Sequence, residues 1–253
     1  YRLPRNIIAR MQSLEYDRSF LAARILLDKI NANMIISGAF GLFEKKTVIA
    51  VGGYDSSTMG EDMELVVRLH EFSRMNRKPY KIDFAQDAIC WSQTPEKLSE
   101  LCKQRKRWQR GLFQCMWGHR KMLANPRYGA VGLLSYLYFL LYELLSPFIE
   151  LLGVLTMVLS VVMDMLNVKF MLVFLACYAL YGILLTLTAY FSRIYTIDQR
   201  LSFRELILAI IACFFETTFL RFYLAFVRVT AFVGYKKNKL NWGKLERKKM
   251  NRI

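Results

Sequence analysis

Hydrophobic and polar residues divide the chain into three blocks. Residues 1–128 are mixed and charged, residues 129–234 are mostly apolar with long intervals free of charge, and residues 235–253 are basic. A helix that crosses the hydrocarbon core of a bilayer needs about 20 apolar residues. The stretch 168–191 exceeds that length and carries only Lys169, near one end, so it predicts a transmembrane helix.

The apolar segment before this span is longer and less regular. Residues 129–163 are interrupted by Glu143, Pro147 and Glu150. If this segment were divided into two spans, each would be too short to cross the bilayer. The pattern therefore favours one spanning helix preceded by a helix that lies in the membrane interface.

The apolar segment after the span contains charged residues along its length. Glu205, Glu216, Arg221 and Arg228 lie within residues 203–234, and charges are costly inside a lipid-embedded helix. The segment therefore favours an interfacial helix or a shallow hairpin, which gives two spans in total. The alternative is a third or fourth ordinary span whose charges pair within a helix bundle, and the pattern leaves both open.

Positive charge flanks the apolar block on both sides. The formal net charge of +16 comes from 36 Lys and Arg against 20 Asp and Glu, while 55% of the residues are hydrophobic. Because Lys and Arg favour the cytoplasmic flanks of membrane helices, we expect the first block and the tail to be cytoplasmic and the protein to reside in the inner or plasma membrane. Topology accounts for the charge, so no nucleic-acid partner is expected.

The first block mixes helical and extended patterns. Residues 4–30 carry apolar residues at helical spacing among arginines, which indicates either a basic helix pair at the membrane surface or ordinary core helices. Residues 80–84 and 88–91 are typical of strands, and residues 94–95 begin a helix. The small-residue run 34–43 permits close approach to a ligand, although its residues alone favour a bent, buried strand.

Acidic residues gather at the start of a predicted helix. Glu61, Asp62 and Glu64 follow Gly60, and carboxylates are favoured in a first helical turn because its N–H groups are exposed. A general base also needs a carboxylate that projects from such a position. On local chemistry alone, helix capping is the better explanation.

A basic and aromatic cluster lies on the helix after residue 95. Gln104, Arg107 and Trp108 share adjoining positions on one helix face. An arginine can clamp phosphate oxygens and a tryptophan can support a sugar ring, but a basic helix on anionic lipid would carry the same residues. The chemistry of these residues does not separate the two alternatives.

Cysteine and histidine offer little support for a metal site. The chain has five cysteines without a C-x-x-C pair, and its two histidines, His70 and His119, lie far apart in the sequence. We expect reduced, structural cysteines and no metal ligands in this chain.

Four short motifs follow one another before the apolar helices. They are Ser37-Gly38-Ala39-Phe40-Gly41, Gly52-Gly53-Tyr54, Gly60-Glu61-Asp62 and Gln104-Arg105-Lys106-Arg107-Trp108. This order resembles the membrane-integrated family 2 glycosyltransferases, which include cellulose, chitin, hyaluronan and poly-N-acetylglucosamine synthases. The resemblance implies the C-terminal part of an α/β, GT-A-type domain over residues 1–128, transmembrane and interfacial helices over residues 129–234, and a basic cytoplasmic tail over residues 235–253.

The resemblance also implies roles for the motif residues. Asp62 would be the general base of an inverting transfer from a nucleotide sugar, expected to be a UDP-sugar, to a glycan acceptor, with Glu61 beside it. Gln104, Arg107 and Trp108 match a Q-x-x-R-W motif, in which the arginine engages the nucleotide diphosphate and the tryptophan lies under the acceptor sugar.

Two further positions are implied less specifically. Ser37 and Gly38 fall where such enzymes line the acceptor site. Trp242 is similar to the tryptophan of a W-G gating-loop element, although Lys244 departs from the W-G-T-R form. The assignment of Trp242 to a gating loop is therefore the weaker of the two.

One part of the family pattern is missing from this sequence. The family's nucleotide-binding half, with its metal-binding D-x-D, would precede residue 4, and the sequence contains no D-x-D. We therefore expect the ligands for Mg²⁺ or Mn²⁺ outside this chain, and we expect the chain alone to be inactive. It would be the C-terminal part of a synthase, or a separate polypeptide would supply the other half.

Two other classes of function remain open from the sequence. A non-catalytic membrane subunit would use the same fold to bind a partner or a glycan. A basic peripheral module would bind anionic lipid or nucleic acid through the net charge, but nucleic acid is the least favoured because the charge flanks apolar segments.

Overall fold

The computed structural model describes residues 4, 6–85, 88, 90, 92–196 and 202–235. Within this part of the chain all regular secondary structure is helical. The α-helices are α1 (Ile7–Arg18), α2 (Ile25–Lys29), α3 (Lys45–Ala50), α4 (Glu61–Met75), α5 (Leu98–Gly118), α6 (Tyr136–Tyr138), α7 (Ser146–Val162), α8 (Val168–Thr196), α9 (Phe203–Phe215) and α10 (Arg221–Val229). The α/β class implied by the resemblance is thus not seen in the described residues.

The segment predicted as a strand at residues 80–84 is held by side chains instead of a neighbouring strand. Asn31 Nδ2 donates to the carbonyl of Tyr80 at 3.0 Å, and Asn31 Oδ1 accepts from the Ile82 N–H at 2.9 Å. Asp28 Oδ1 accepts from the Phe84 N–H at 2.7 Å. Because these side chains occupy backbone groups that a sheet would use, the segment lies against the end of α2 as an extended chain.

The other two predicted strands have different outcomes. Residues 32–37 are extended without a ladder partner among the described residues, and residues 38–40 form a turn. The predicted strand at 88–91 lies partly outside the described residues, since only residues 88 and 90 are described there.

Three helices are long and apolar enough to cross a membrane. We call them the first apolar helix (Val131–Val162), the second apolar helix (Val168–Tyr195) and the third apolar helix (Phe203–Phe232). Their most apolar windows have mean hydropathies of 2.1, 2.3 and 1.8, and the buried share is highest in the third. π-helical turns join the shorter α-helical pieces of the first and third helices, so each runs without a break.

The first apolar helix begins on the surface of the α4–α5 pair. Ser135 Oγ donates to the Ala32 carbonyl at 2.6 Å, the Tyr136 hydroxyl donates to the Met116 carbonyl, and Gln109 Nε2 donates to the Leu144 carbonyl at 3.0 Å. Next to these contacts lies a hydrophobic cluster of buried residues from α4, α5, this helix and the segments that follow α2 and α5: Ala32, Met34, Met63, Val67, Cys115, Met116, Met122, Tyr128, Val131, Tyr136 and Leu144. Most side chains of α7, farther along the helix, are exposed.

A second hydrophobic cluster joins α1 to the second and third apolar helices. Its buried members are Leu14, Tyr190, Ile194, Ala209, Ala212 and Cys213. Asp17 on α1 pairs with Arg193 on the second apolar helix beside this cluster. The helix pattern of residues 4–30 is therefore explained by packing against apolar helices.

Three charged residues in the interior of the third apolar helix are paired. The two carboxylate oxygens of Glu216 accept hydrogen bonds from the two terminal guanidinium nitrogens of Arg18, each at 2.9 Å. Arg221 lies 2.7 Å from Glu150 of the first apolar helix. The pairing anticipated as the alternative for this segment is what the structure contains.

Arg228 continues the same pattern toward the end of the third apolar helix. Its guanidinium lies 3.8 Å from Glu143 and donates to Gln109 Oε1 at 2.7 Å. Three residues later, the Ala231 carbonyl accepts a hydrogen bond from Arg110 Nε at 2.8 Å. The third apolar helix therefore touches α1 near its middle and α5 near its end.

Candidate active site

The Asp62 carboxylate is held by backbone donors at the start of α4. The Gly38 N–H donates to Oδ2 at 3.1 Å, and the Met63 N–H donates to Oδ1 at 2.8 Å. A Cβ added at Gly38 would lie 3.5 Å from Oδ2, which is an ordinary van der Waals distance, so this approach does not require a glycine. The structure thus brings Asp62 together with the Ser37–Gly38 turn.

The loop before Asp62 packs directly on α5. A Cβ added at Gly111 would lie 2.7 Å from the Gly60 nitrogen, and one added at Gly60 would lie 3.1 Å from the Gly111 backbone. Gln114 Oε1 accepts from the Met59 N–H at 2.8 Å and from the Thr58 hydroxyl at 3.2 Å. These contacts fix the start of α4 on the helix that carries the Q-x-x-R-W motif.

The Gly52-Gly53-Tyr54 turn is tied to α4 by one arginine. Arg68 donates to the Val51 carbonyl at 2.6 Å, to the Gly53 carbonyl at 2.7 Å and to Glu64 at 2.7 Å. Gly52 and Gly53 have φ angles of +91° and +75°, which other residues rarely adopt. This turn supports the α4 helix and supplies no described side chain next to Asp62.

The positive charge of Arg107 influences the pKa of Glu61. This electrostatic interaction links the Q-x-x-R-W motif to the E-D motif. Burial raises the pKa of Glu61, and the neighbouring Asp62 carboxylate raises it further, while the charge of Arg107 lowers it. Two motifs that are more than 40 residues apart in sequence therefore meet where α4 begins on α5.

Trp108 and Gln104 face α1. The Trp108 ring is 40% exposed, and its centroid lies 6.2 Å from that of Tyr16. Burial raises the pKa of Tyr16, although Arg105 and a hydrogen bond from Gln104 act in the opposite direction. Gln104 Oε1 is buried and accepts no hydrogen bond from the residues that the structure describes. Trp108 offers a partly open ring, and Gln104 offers an unused acceptor.

Aromatic rings and guanidinium groups form a continuous series of contacts from Trp108 to Arg24. The Arg105 guanidinium lies 4.6 Å from the Trp108 ring centroid, and Tyr16 and Phe20 meet edge to face at 6.2 Å. The Arg24 guanidinium then lies 3.9 Å above the Phe20 ring. We call these five residues the aromatic–guanidinium row, which the sequence pattern did not predict.

Two histidines form hydrogen bonds that connect α4 to its neighbouring segments. Burial lowers the pKa of His70 to about 4, and its Nε2 lies 2.7 Å from the Asn33 carbonyl. Burial lowers the pKa of His119, but hydrogen bonds to Glu64 and Glu71 more than offset this, so the pKa is raised. His70 positions the segment that leads to the Ser37–Gly38 turn, and His119 joins the end of α5 to α4.

The remaining predictions concern metal ions and the tail. The described residues contain no group of three or more His, Cys, Asp or Glu that could hold a metal ion. Trp242 lies outside the described residues, so its assignment to a gating loop stays a prediction.

Gly111, Gln114 and Arg68 also shape the site but were not assigned to it from the sequence. Gly111 had a detectable signal, because glycine within a long helix costs about 1 kcal/mol relative to alanine and suggests close packing. Gln114 and Arg68 carried no such signal, since their partners are backbone groups remote in sequence.

Comparison with known proteins identifies the family. The family model "Glycosyl transferase family group 2" matches residues 1–235. Over 120 residues the chain is 32% identical to a poly-beta-1,6-N-acetyl-D-glucosamine synthase of Staphylococcus aureus (strain COL) and 31% identical to one of Staphylococcus epidermidis, covering 47% of this chain and 26% of each relative. The match thus spans about a quarter of these relatives, and no solved structure matches the chain. The resemblance carried by the four motifs is confirmed, and the chain belongs to glycosyl transferase family group 2.

Proposed function

We propose that this chain forms the acceptor-binding and membrane part of an inverting glycosyltransferase. The enzyme transfers a sugar from a nucleotide-diphosphate sugar to a glycan at the cytoplasmic face of the membrane. The observation that carries the proposal is the close backbone contact between Gly60, which directly precedes Glu61 and Asp62, and Gly111 on the helix that carries Arg107, whose charge lowers the pKa of Glu61. The names of the relatives favour N-acetylglucosamine as the transferred sugar, with UDP-N-acetylglucosamine as the donor.

The proposed chemistry is one in-line displacement. Asp62 accepts the proton of the acceptor hydroxyl as its oxygen attacks the anomeric carbon, and the bond from that carbon to the nucleotide diphosphate breaks. Arg107 stabilises the charge on the departing diphosphate. Trp108 supports the acceptor sugar, while Gln104, Ser37 and Gly38 line its site.

Divalent metal is assigned to residues outside this chain. Members of the family commonly use such an ion, but the described residues offer no ligand group for it and the sequence has no D-x-D. The residues that the structure describes do not fit a Mg²⁺ or Mn²⁺ site. We propose that a nucleotide-binding half, encoded upstream or in a separate polypeptide, supplies the ligands, and that this chain alone is inactive.

The membrane arrangement is proposed as two spans with interfacial helices on each side. A helix of 30 residues, such as the third apolar helix, is roughly 45 Å long. If it crossed the bilayer, one end would lie far from the cytoplasmic helices, yet it contacts Arg18 of α1 and both Gln109 and Arg110 of α5. These contacts support an interfacial position for residues 203–232. For residues 131–145 the same position is supported by the hydrogen bonds of Ser135 and Tyr136 to backbone carbonyls of the first block. Both lie within the proposed division 1–128, 129–234 and 235–253.

A transfer assay tests the proposal. Membranes would contain this chain alone, or this chain with its native upstream coding sequence or neighbouring gene product, and would receive radiolabelled UDP- and GDP-sugars. We expect transfer from UDP-N-acetylglucosamine in the completed form only. Absence of both transfer and nucleotide binding in the completed form would overturn the proposal.

The same system distinguishes a non-catalytic membrane subunit. If deletion of the chain abolishes polymer but Asp62→Asn does not, the chain supports the reaction without providing its base. The proposed catalytic role would then be wrong.

A further inference from the structure

The chain between α5 and the first apolar helix is fixed to the first turn of that helix. We call residues 119–128 the connecting loop. The Ala124 N–H donates to the Gly132 carbonyl at 3.1 Å. A Cβ added at Gly132 would lie 2.7 Å from the carbonyl oxygens of Met122 and Asn125, so loop and helix touch through their backbones. The connecting loop is therefore held beside a helix that is long and apolar enough to enter a membrane.

Three basic side chains of the connecting loop are exposed and lack a carboxylate partner. They are Arg120, Lys121 and Arg127, and none of them forms an ion pair within the described part of the chain. The two glutamates of α4 that contact the loop are bound to His119, at 2.7 Å and 3.4 Å. The positive charge of the loop is thus available to an anion outside this chain.

Exposed apolar side chains accompany these cations. Trp117 is 62% exposed and Leu123 is 42% exposed. The Trp117 ring stacks on Phe113 at 6.1 Å, and the Arg120 guanidinium lies 5.3 Å from its centroid. Tryptophan concentrates at the headgroup level of membranes, where basic residues meet anionic lipids. A bilayer would cover exposed tryptophan and leucine as well as the charges, whereas a nucleic-acid backbone would meet the charges alone.

We propose that the connecting loop and Trp117 form a binding site for anionic phospholipids. Arg120, Lys121 and Arg127 contact the headgroup phosphates, while Trp117 and Leu123 lie between the headgroups and the upper acyl chains. The inference rests on the proposed interfacial position of the start of the first apolar helix. It goes beyond orientation in the membrane, because it assigns a class of lipid to named residues at the end of α5.

The test measures contact between Trp117 and lipid in the completed enzyme. The protein is reconstituted in phosphatidylcholine vesicles that contain either brominated phosphatidylcholine or brominated phosphatidylglycerol, since bromine quenches the fluorescence of a tryptophan that it touches. The signal of Trp117 is the difference between each protein and the same protein with Trp117→Phe. We expect stronger quenching by brominated phosphatidylglycerol, from which the relative affinity for the two lipids is obtained.

A triple substitution removes the proposed headgroup contacts. We expect Arg120→Gln/Lys121→Gln/Arg127→Gln to lower the preference for phosphatidylglycerol at least about fivefold, the factor expected for a single cation near an anionic surface. Thermal unfolding in detergent verifies folding. Because Arg120 also donates to the Trp117 carbonyl at 3.2 Å, the double variant Lys121→Gln/Arg127→Gln decides the question if the triple variant does not fold.

The matched control removes the same charge outside the connecting loop. Lys45, Lys46 and Arg77 are exposed residues of α3 and of the turn after α4. Their triple substitution by glutamine should change the lipid preference less than about twofold, because surface charges far from the bilayer are screened. An equal loss in both triple variants would overturn the assignment to the loop, since net charge alone would then explain the preference.

The outcomes separate this inference from the proposed function, because quenching is measured without a nucleotide sugar. Equal quenching of Trp117 by the two lipids would refute the anionic-lipid site and leave the interfacial position intact. Absence of quenching by either lipid would overturn both the site and the interfacial position. Binding of a single-stranded oligonucleotide that the triple substitution abolishes, with an unchanged lipid preference, would assign the surface to nucleic acid and refute the inference.

Discussion

The start of α4 and the third apolar helix are positioned by contacts of different kinds. At α4, the backbones of Gly60 and Gly111 touch, and Asp62 is held by the N–H groups of Gly38 and Met63. The third apolar helix is held at its charged positions by ion pairs, such as that between Glu216 and Arg18. The position of the proposed catalytic carboxylate therefore depends on backbone geometry, whereas the position of the membrane-side helix depends on charge complementarity.

Asp62→Asn should produce the largest effect, and on activity only. The amide keeps the shape of the side chain but cannot accept the acceptor proton, so transfer should fall about 10²- to 10⁴-fold. Nucleotide binding should be unchanged, as measured by product inhibition with UDP. Asp55→Asn, at an exposed turn aspartate, is the control and should stay near normal. Near-normal turnover of Asp62→Asn would refute the base assignment.

Glu216→Gln tests the ion-pair side of the comparison. The substitution leaves Arg18 partly buried without its bidentate carboxylate, and breaking such a pair costs about 3 kcal/mol or more. We expect a lower free energy of unfolding in detergent. The double variant Arg18→Met/Glu216→Met should recover much of the loss, because no charge is left unpaired. Equal destabilisation by the single and double variants would contradict the pairing argument.

Gly111→Ala tests the backbone contact between α4 and α5. The added Cβ would lie 2.7 Å from the Gly60 nitrogen, so α4 and α5 must separate, and overpacking of this kind costs about 1–3 kcal/mol. Transfer should fall with stability because Asp62 moves relative to Arg107. Gly118→Ala is the control, since nothing lies within 4 Å of its Cβ position and the same helix carries it. If both variants retain wild-type activity and melting temperature, the close approach is unimportant.

Substitution of His119 should give the smallest effect. It should change how the stability of the α4–α5 region depends on pH. Its pKa is raised in the folded state, so its stabilising contribution is complete below the unfolded value of about 6.5 and is lost as pH rises through the folded pKa. Melting temperatures of the wild type and His119→Gln, measured from pH 6 to pH 9, should converge as pH rises. A constant difference across this range would exclude the titration.

Sequence alone predicted the features that depend on local pattern. The E-D and Q-x-x-R-W motifs and the apolar helices have strong signals of composition or spacing, and the family match confirms the motif-based assignment. The ion pairs of Glu216, Arg221 and Arg228 were anticipated only as an alternative, because their partners Arg18, Glu150 and Glu143 are remote in sequence.

The strand predicted at residues 80–84 is absent for a related reason. Residues 80–84 have strand-like composition, but the side chains of Asn31 and Asp28 occupy the backbone groups that a ladder would need. The position of Arg24 was equally inaccessible, since it depends on a π-helical turn that adds no recognisable sequence pattern. Contacts between remote residues decided each of these outcomes.

The contact between Gly60 and Gly111 has a mechanical consequence. With no side chain between the two backbones, the start of α4 has no compressible layer that could absorb a displacement of α5. The third apolar helix contacts Arg110 and Gln109 of α5. A displacement of α5 through these contacts would therefore also displace the start of α4, which carries Asp62. Movement of the third apolar helix would then change the position of the Asp62 carboxylate, which we propose as the base.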